Sequence, residues 1–372
     1  MKEAPLATIS VPHIRRLALP RLGDPALLIP LIGAGVLVYL AVLPLIMLFW
    51  GSFQEEIAPH EYVFTLQNYL DAYTSPHTYS TFRNSIVFSL GSALLAFAIG
   101  TMLAWLVERT NTPFRTAFLP LSLVPLIVPG VLEAIVWIFL LSPKIGYINV
   151  FLMRVFGLET APINVFSLGG MIWVQAVGQA PLAFLLMLAA FKSMDPSLEE
   201  SAMMAGASVW QTLRRVTLPL LLPAVGSTLL ILFVRSIEAF EVPAIIGIPA
   251  REYVYTSEIW LAFTEFPPNY GRGAALAVGL LALSALGVWL YTRATGRNER
   301  FQTVTGKAFR PRPFDLGPWR WAGLAVLCLY FGTVLLLPFL VLCWSSLLPY
   351  IAPPGPDTLR LASLENYSYL FQ

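Results

Sequence analysis

The stretch Glu200-Ser-Ala-Met-Met-Ala-Gly206, followed by Val216-Thr-Leu218-Pro219, lies between two long apolar runs and is flanked by residues too polar to remain in lipid. Asp195 and Pro196 precede it with the spacing of an N-cap and a first-turn proline, which predicts a short helix. Gly206 is predicted to end that helix, because glycine readily adopts the left-handed conformation that closes helices. The pattern therefore indicates a short helix and a glycine turn outside the membrane.

A second short helix is expected directly after the glycine. Ser208 and Gln211 have the spacing of a capping box, in which each side chain bonds the backbone N–H of the other residue. Pro219 is predicted to end this helix as the chain re-enters the membrane. The helix would present a mixed set of side chains, namely Val209, Trp210, Gln211, Leu213, Arg214 and Arg215. A helix–glycine–helix elbow of this kind suits the docking of a soluble partner, although an ordinary amphipathic loop has the same composition.

The composition indicates a lipid-embedded protein. Apolar residues make up 57% of the chain and charged residues only 12%, about half the charge of a soluble domain. Apolar runs of about 20 residues are long enough to cross a bilayer as helices. We therefore predict an all-α, polytopic membrane protein with about seven spans, near Ala26–Trp50, Ile86–Val107, Ala117–Leu141, Met171–Phe191, Leu220–Gly247, Gly273–Tyr291 and Ala322–Trp344.

Lysine and arginine are concentrated before the first span and after the second, fourth and sixth. The positive-inside rule therefore places the N-terminus and the Gly206 loop in the cytoplasm. The formal net charge of +2 reflects this bias in the loops, and no nucleic-acid partner is expected. The sequence contains no phosphate-binding loop and no residue set with metal-ligand spacing, so ATP and Mg²⁺ would be bound by another chain.

The spacing Glu-x-Ala-x-x-x-Gly, nine residues, then an aliphatic residue, any residue and Leu-Pro resembles the cytoplasmic loop of binding-protein-dependent ABC transporter permeases. The pattern is met by Glu200, Ala202, Gly206, Val216, Leu218 and Pro219, with Ser201 where the family usually has alanine. The resemblance implies the type I ABC importer permease fold, in which this loop inserts a coupling helix into a cytoplasmic ATPase. The coupling helix would be Ser208–Leu213, with Glu200 and Gly206 shaping the elbow.

The same resemblance implies the rest of the machinery. The chain would be a transport subunit of a bacterial inner membrane and not an enzyme, and it would carry no cofactor of its own. Its partners would be a dimer of cytoplasmic ATPases, a periplasmic substrate-binding protein and a second permease half. A secondary transporter is the rival interpretation, but it would need no ATPase-docking loop.

An internal repeat is visible at the two ends of the sequence. Leu43–Ser52 aligns with Leu337–Ser346, and Leu66-Gln-Asn68-Tyr69 aligns with Leu364-Glu-Asn366-Tyr367. We therefore expect a double-length permease that is truncated in its second copy. The predicted organisation is a cytoplasmic tail (1–25), a six-helix unit (26–293), a cytoplasmic linker (294–320), and the first helix and outer loop of a second unit (321–372).

Four ionisable residues fall inside predicted spans. Arg235, Glu238 and Glu241 follow each other at i, i+3 spacing in the fifth span, and Glu133 lies in the third. Charges at depth face protein or a water-filled path, so these residues either line the translocation pathway or form ion pairs between helices. Five prolines are expected to interrupt the same two spans, which is typical of substrate routes: Pro120, Pro125, Pro129, Pro223 and Pro243.

Three further stretches, Met194–Glu200, Phe240–Gly247 and Thr303–Pro311, resemble the double-length permeases of ferric iron importers. Ferric iron is therefore the expected substrate. Permeases of the same architecture also handle thiamine, phosphonates or polyamines, and these remain alternatives. Tyr147–Phe156 is predicted to be a short interfacial helix outside the spans.

Overall fold

The computed structural model describes residues 28–58, 61–195, 197–295 and 313–368. Residues 1–50 and residues 51–372 form two separate structural units. The predicted N-terminal tail (1–25) and the linker stretch Thr303–Pro311 lie outside the described residues.

The described chain is helical apart from one short hairpin, as the apolar composition predicts. The α-helices are α1 (Leu28–Ser52), α2 (Gln67–Thr74), α3 (Pro76–Arg109), α4 (Phe118–Leu121), α5 (Gly130–Leu141), α6 (Tyr147–Phe156), α7 (Leu168–Ser193), α8 (Ser197–Met204), α9 (Val209–Thr212), α10 (Leu218–Ile237), α11 (Ile248–Ala250), α12 (Tyr255–Thr264), α13 (Tyr270–Thr295), α14 (Arg320–Phe331), α15 (Leu337–Ser346), α16 (Pro356–Leu359) and α17 (Glu365–Ser368). The antiparallel hairpin is β1 (Gln54–Ala58) with β2 (Glu61–Phe64).

Among the described residues, six helical segments are long and apolar enough to cross a membrane, and a bent pair makes a seventh. The bent pair joins Arg115–Ile127 to Gly130–Leu141 at 98°. The predicted count of about seven spans is thereby confirmed. The second span differs in extent, because α3 begins at Pro76 and not near Ile86.

The centre of the structural unit that starts at Gly51 is the contact between α3 and α7. Ala96, Gly100 and Ala104 repeat every fourth residue on α3 and are all buried, and Gly100 lies directly against Ala180 and Phe184 of α7. A Cβ at Gly100 would lie 2.6 Å from the Phe184 backbone nitrogen. Small residues at this spacing allow two helices to approach closely within a membrane, where packing rather than the hydrophobic effect drives association.

The fifth span is not the continuous helix that the sequence predicted. Helix α10 ends at Ile237, residues 238–240 are not helical, and a new helical segment begins at Glu241. A helix continuing through Pro243 would place the proline ring against the Ala239 carbonyl. That carbonyl instead accepts a 2.8 Å hydrogen bond from the Thr256 hydroxyl. The predicted i, i+3 neighbourhood of Arg235, Glu238 and Glu241 on one helix is therefore wrong.

Proline acts differently at several other positions. Pro129 lies at the 98° bend, as predicted, but α10 runs through Pro223 without interruption. Pro219 does not end the helix that begins at Val209, since the chain remains helical from Val209 to Ile237.

Three π-helical segments of the described chain each end two residues before a proline. They are Leu213–Thr217, Pro243–Gly247 and Gly332–Leu336. The wider π turn accommodates a residue that lacks an N–H and clashes with the carbonyl four residues earlier.

The repeated sequence forms the same cluster of hydrogen bonds twice. In the first Ser-Asn-Tyr cluster, the Asn68 amide donates to the Ser52 and Gln54 carbonyls at 3.1 and 2.8 Å, and the Ser52 and Tyr69 hydroxyls are 2.7 Å apart. In the second Ser-Asn-Tyr cluster, the equivalent amide donates at 3.0 Å to two equivalent carbonyls, and the two hydroxyls are 2.6 Å apart. The residues of the second cluster are Ser346, Leu348, Asn366 and Tyr367. The internal repeat is therefore structural as well as sequential.

Candidate functional site: the elbow and the broken helices

The elbow, residues 197–212, starts with helix α8. The Asp195 carboxylate accepts a 2.9 Å hydrogen bond from the Ser197 N–H, as expected for a helix start, whereas Pro196 lies outside the described residues. Bonds from the backbone and side chain of Ser197 hold the pKa of Asp195 below its ordinary value. The carboxylate is therefore charged at neutral pH, and its negative charge stabilises the N-terminus of α8, which is the positive end of the helix dipole.

Helix α8 ends in the glycine turn that the sequence predicts. Gly206 has φ +89°, in the range that favours glycine. The Gly206 N–H donates to the Met203 carbonyl at 2.9 Å, and the Ala207 N–H donates to the Ala202 carbonyl at 3.1 Å. These two bonds define a Schellman motif, in which the helix carbonyls at its end are satisfied by the turn itself. Ala202 and Gly206 thus both form part of the turn that ends α8.

The second helix of the elbow begins with the predicted capping box. The Ser208 N–H donates to Gln211 Oε1 at 2.9 Å, and the Gln211 N–H donates to Ser208 Oγ at 3.3 Å. From Val209 the helix continues through the π-helical segment into α10. The elbow is therefore joined rigidly to a membrane span and is not a loose loop.

Three large apolar side chains of the elbow are exposed, and two of them project much further than Leu198, which is 44% exposed. Met204 is 90% exposed at the end of α8, and Trp210 is 68% exposed on the second helix. Met204 did not stand out in the sequence, because an apolar residue at the end of a short helix is usually buried. Val209 and Leu213 were expected to project as well, but they are half-buried. Both line a cavity of about 740 Å³, as do Trp105, Phe191 and Trp210 itself. The exposed docking features are thus Met204 and Trp210.

The remaining motif positions have mixed environments. Val216 is half-buried, while Leu218 and Pro219 are exposed on the first turn of α10. Glu200 is half-buried, and its Oε1 atom is enclosed without a hydrogen-bond partner among the described residues. The structure brings these positions together around the elbow, and their part in coupling remains a prediction.

The buried carboxylate of the elbow is Glu199, which the sequence motif did not single out. Its Oε2 atom lies 3.2 Å from Arg109 Nη1 at the end of α3, and both side chains are almost fully buried. The Thr217 hydroxyl donates to Glu199 Oε1 at 2.6 Å. The sequence carries no local signal for this residue, because adjacent helix positions point about 100° apart and the choice between Glu199 and Glu200 depends on how α8 packs.

The two broken spans meet at Gly130 and Glu241. A Cβ placed on Gly130, at the start of α5, would lie 3.6 Å from Glu241 Cδ. The carboxylate therefore lies close to the first turn of α5, where the helix dipole favours negative charge. Glu133, one turn further along α5, packs against Gly178 of α7 so closely that a Cβ there would collide with its carboxylate.

Arg235, Glu238 and Glu241 are exposed on the surface of this unit. Within the described residues, the ion pairs involve other side chains, and none includes Glu133 or these three residues. The predicted alternative of an Arg235–Glu238 or Arg235–Glu133 pair is therefore not seen in the described part of the chain. The four residues stay candidates for the wall of a pathway.

A buried ion-pair cluster at the opposite end of α3 was also missed by the sequence interpretation. Glu258 of α12 is buried, and its carboxylate contacts Arg272 Nη2 at 2.5 Å and His77 Nε2 at 2.9 Å. The cluster joins α3, α12 and α13. No group of three or more His, Cys, Asp or Glu side chains able to hold a metal ion occurs within the described ranges.

The comparisons with known proteins agree with this architecture. The family model of the binding-protein-dependent transport system inner membrane component matches residues 75–299. The chain belongs to this family. Its members are transport permeases, so the chain is a multi-pass membrane permease with an ABC permease fold.

Individual relatives show how far the similarity extends. The putative ferric transport system permease protein FbpB 1 of Haemophilus influenzae is 25% identical over 308 residues, covering 82% of this chain and 46% of the relative. The spermidine/putrescine permease PotB of Salmonella typhimurium is 27% identical over 268 residues, covering 70% and 90%. The chain spans about half the length of the ferric relatives it matches.

One solved structure supports the fold. A chain of the bacterial alginate ABC transporter, in complex with alginate pentasaccharide-bound periplasmic protein, superposes with a TM-score of 0.58 at 21% identity. The match covers 76% of this chain and 96% of the other. At this identity the similarity concerns the fold alone.

Proposed function

We propose that this permease is the membrane-spanning part of an ATP-driven importer and that the elbow docks a cytoplasmic ABC ATPase. The observation that carries the proposal is the pair of exposed apolar side chains, Met204 and Trp210, on two helices fixed by the Gly206 turn. Burying one such side chain in the cleft of a partner releases about 1.5–3 kcal/mol, and the Gly206 turn holds both on adjoining helices. The elbow would thus contribute two anchors to an ATPase interface.

In this proposal the elbow and the N-terminus lie in the cytoplasm of a bacterial cell, as the distribution of lysine and arginine predicts. ATP and Mg²⁺ are bound by the ATPase dimer, and this chain carries neither. A periplasmic binding protein delivers the substrate at the other side of the membrane. A second permease unit, from the same full-length protein or another copy, faces the exposed Arg235, Glu238 and Glu241.

Ferric iron is the proposed substrate. The support is the resemblance of three sequence stretches to ferric importers, together with the match of more than three quarters of the chain to a ferric transport permease. The polyamine alternative is supported by the match to PotB. A permease of this kind works by alternating access, in which binding of ATP favours one of two arrangements of the spans.

The first test is ATPase stimulation. The full-length permease would be placed in proteoliposomes with its ATPase and binding protein, and hydrolysis would be measured with ferric-loaded and polyamine-loaded binding protein. Hydrolysis that rises only with the ferric form supports the iron importer. A rise only with the polyamine form keeps the permease and changes the substrate, whereas transport that persists without ATP would overturn the ATP-driven mechanism.

The second test addresses the elbow. Trp210→Asp is expected to reduce copurification of the ATPase at least tenfold, because a charge cannot occupy an apolar cleft without a partner. Gly206→Pro is expected to do the same, because proline cannot adopt φ +89°. Trp319→Asp is the matched control, since Trp319 is 74% exposed outside the elbow. Normal copurification of both elbow variants would refute the docking assignment.

A further inference from the structure

The guanidinium of Arg109 lies at a junction of three helices. It is 3% exposed at the last residue of α3. Its Nη2 donates to the Phe191 carbonyl of α7 at 2.8 Å, and its Nη1 contacts Glu199 of α8 at 3.2 Å. Its Cζ atom lies 6.0 Å from the centre of the Phe191 ring. One side chain therefore bonds both central spans and the first helix of the elbow.

Glu199 extends this junction to the other side of the elbow. Its second carboxylate oxygen accepts a hydrogen bond from the hydroxyl of Thr217. Thr217 is the last residue of the π-helical segment that leads into α10. The Arg109–Glu199–Thr217 chain thus links the end of α3 to both helices of the elbow. A docked ATPase that pushes on Met204, at the end of α8, would act on this chain through the helix that carries Glu199.

A buried ion pair is not an efficient way to stabilise a fold. Removing two charges from water costs roughly as much as their attraction returns, and apolar replacements of similar size are often as stable. What the pair provides is direction, since charge-assisted hydrogen bonds fix both distance and angle. The pair lies between the elbow and the spans. This location suits a function in which movement of the elbow must reach the spans along a fixed direction.

The linker adds a second connection at the same place. The Phe314 N–H donates to the Arg109 carbonyl at 2.8 Å, and the Asn111 N–H donates to the Phe314 carbonyl at 3.1 Å. The Asn111 side chain donates to Asp315 Oδ1 at 2.6 Å. The residues that precede the second repeat unit are therefore bonded to the backbone of the same arginine that holds the elbow.

We propose that Arg109 and Glu199 are positioning residues that transmit movement of the elbow to α3, α7 and the start of the second repeat unit. This inference rests on the proposed function, because it assumes that an ATPase moves the elbow. It assigns the transmission to a buried pair outside the family motif, while the motif residues shape the docking surface. Loss of the pair would leave docking intact and separate ATP hydrolysis from transport.

The test compares docking, hydrolysis and transport in the same proteoliposomes. Arg109→Gln and Glu199→Gln are expected to copurify with the ATPase within twofold of the wild type. The amount of ferric iron transported per ATP hydrolysed is expected to fall at least tenfold. Arg109→Lys, which keeps the charge, is expected to recover part of that ratio. The double variant R109M/E199M keeps apolar volume at the site and covers the case in which a single substitution does not fold.

Glu258→Gln is the matched control. It removes a carboxylate with nearly the same burial from the His77–Glu258–Arg272 cluster, at the other end of α3. It is expected to keep the wild-type ratio of transport to hydrolysis. An equal fall in that ratio in the control would refute a specific role of the Arg109–Glu199 pair.

A readout without substrate separates this inference from the proposed function. Spin labels at Met204 and Glu108, with both native cysteines replaced, would report the distance between the elbow and α3. A narrow distance distribution is expected in the wild type, and a distribution at least twice as wide in R109M/E199M. An unchanged distribution, an unchanged transport ratio, or loss of ATPase binding in the double variant would each overturn the inference. If the wild type itself shows no ATPase binding, the proposed function fails, and the inference fails with it.

Discussion

The two Ser-Asn-Tyr clusters have the same hydrogen bonds in different surroundings. In the first cluster, Ser52 is 0% and Asn68 3% exposed, and α13 covers them at Gly271, where a Cβ would collide with the Asn68 amide. In the second cluster, Asn366 is exposed. The matching geometry shows that a short local pattern is sufficient to form the turn after the first helix of each unit. Burial is added separately, by a helix that is distant in the sequence.

This difference sets the expected cost of breaking each cluster. A buried carbonyl that loses its hydrogen bond keeps the full penalty of its desolvation, about 1–3 kcal/mol. An exposed carbonyl exchanges the lost partner for water at little cost. Matched substitutions in the two clusters therefore measure what burial contributes to the same set of bonds.

The largest effect is expected from closing the space over the first cluster. Gly271→Leu would force the side chain into the Asn68 amide and the Gln54 carbonyl and should destabilise the protein by about 3 kcal/mol or more. Unfolding in detergent, followed by circular dichroism, gives the free energy. Gly226→Leu on α10 is the control, because a Cβ at Gly226 has nothing within 4 Å. Equal stability of the two variants would contradict the close packing of α13 on the cluster.

A smaller difference is expected between the two asparagines. Asn68→Ala leaves the buried Ser52 carbonyl and the half-buried Gln54 carbonyl without the amide and should cost about 2–4 kcal/mol. In the 372-residue chain, Asn366→Ala removes the equivalent amide at the surface and should cost about 0.5–1 kcal/mol. The same unfolding measurement compares them. Similar costs for both would mean that burial by α13 adds nothing to the first cluster.

The smallest difference is expected between the two tyrosines. Tyr69→Phe removes one bond to the buried Ser52 hydroxyl and should cost about 1 kcal/mol. Tyr367→Phe removes the equivalent bond to Ser346 and should cost less than about 0.5 kcal/mol. A larger cost at Tyr367 than at Tyr69 would reverse the interpretation that burial decides the energy of these bonds.

The sequence predicted those parts of the molecule whose causes are local. The Gly206 turn and the Ser208–Gln211 capping box act through bonds between residues at most five positions apart, so their geometry follows from their identity. The bend at Pro129 has the same origin.

Contacts between distant residues could not be predicted in this way. The pairing of Arg109 with Glu199 depends on how α3 packs against α7, which a single sequence does not specify. The break after Ile237 depends on Pro243 and on Thr256. The Thr256 hydroxyl donates a hydrogen bond to the Ala239 carbonyl that the break leaves free. Pro219 and Pro223 look equivalent to Pro129 in the sequence, yet helical structure continues through them.

The unbroken helix from Val209 to Ile237 has a mechanical consequence. Its 29 residues make a rod about 43 Å long at 1.5 Å per residue. A tilt of about 10° imposed at the Trp210 end would sweep the Ile237 end through roughly 7 Å, by the geometry of a stiff rod of this length. The far end lies next to the break that carries Glu238 and Glu241. A tilt of about 10° at one end of this helix would thus open a gap as wide as a side chain at the other end.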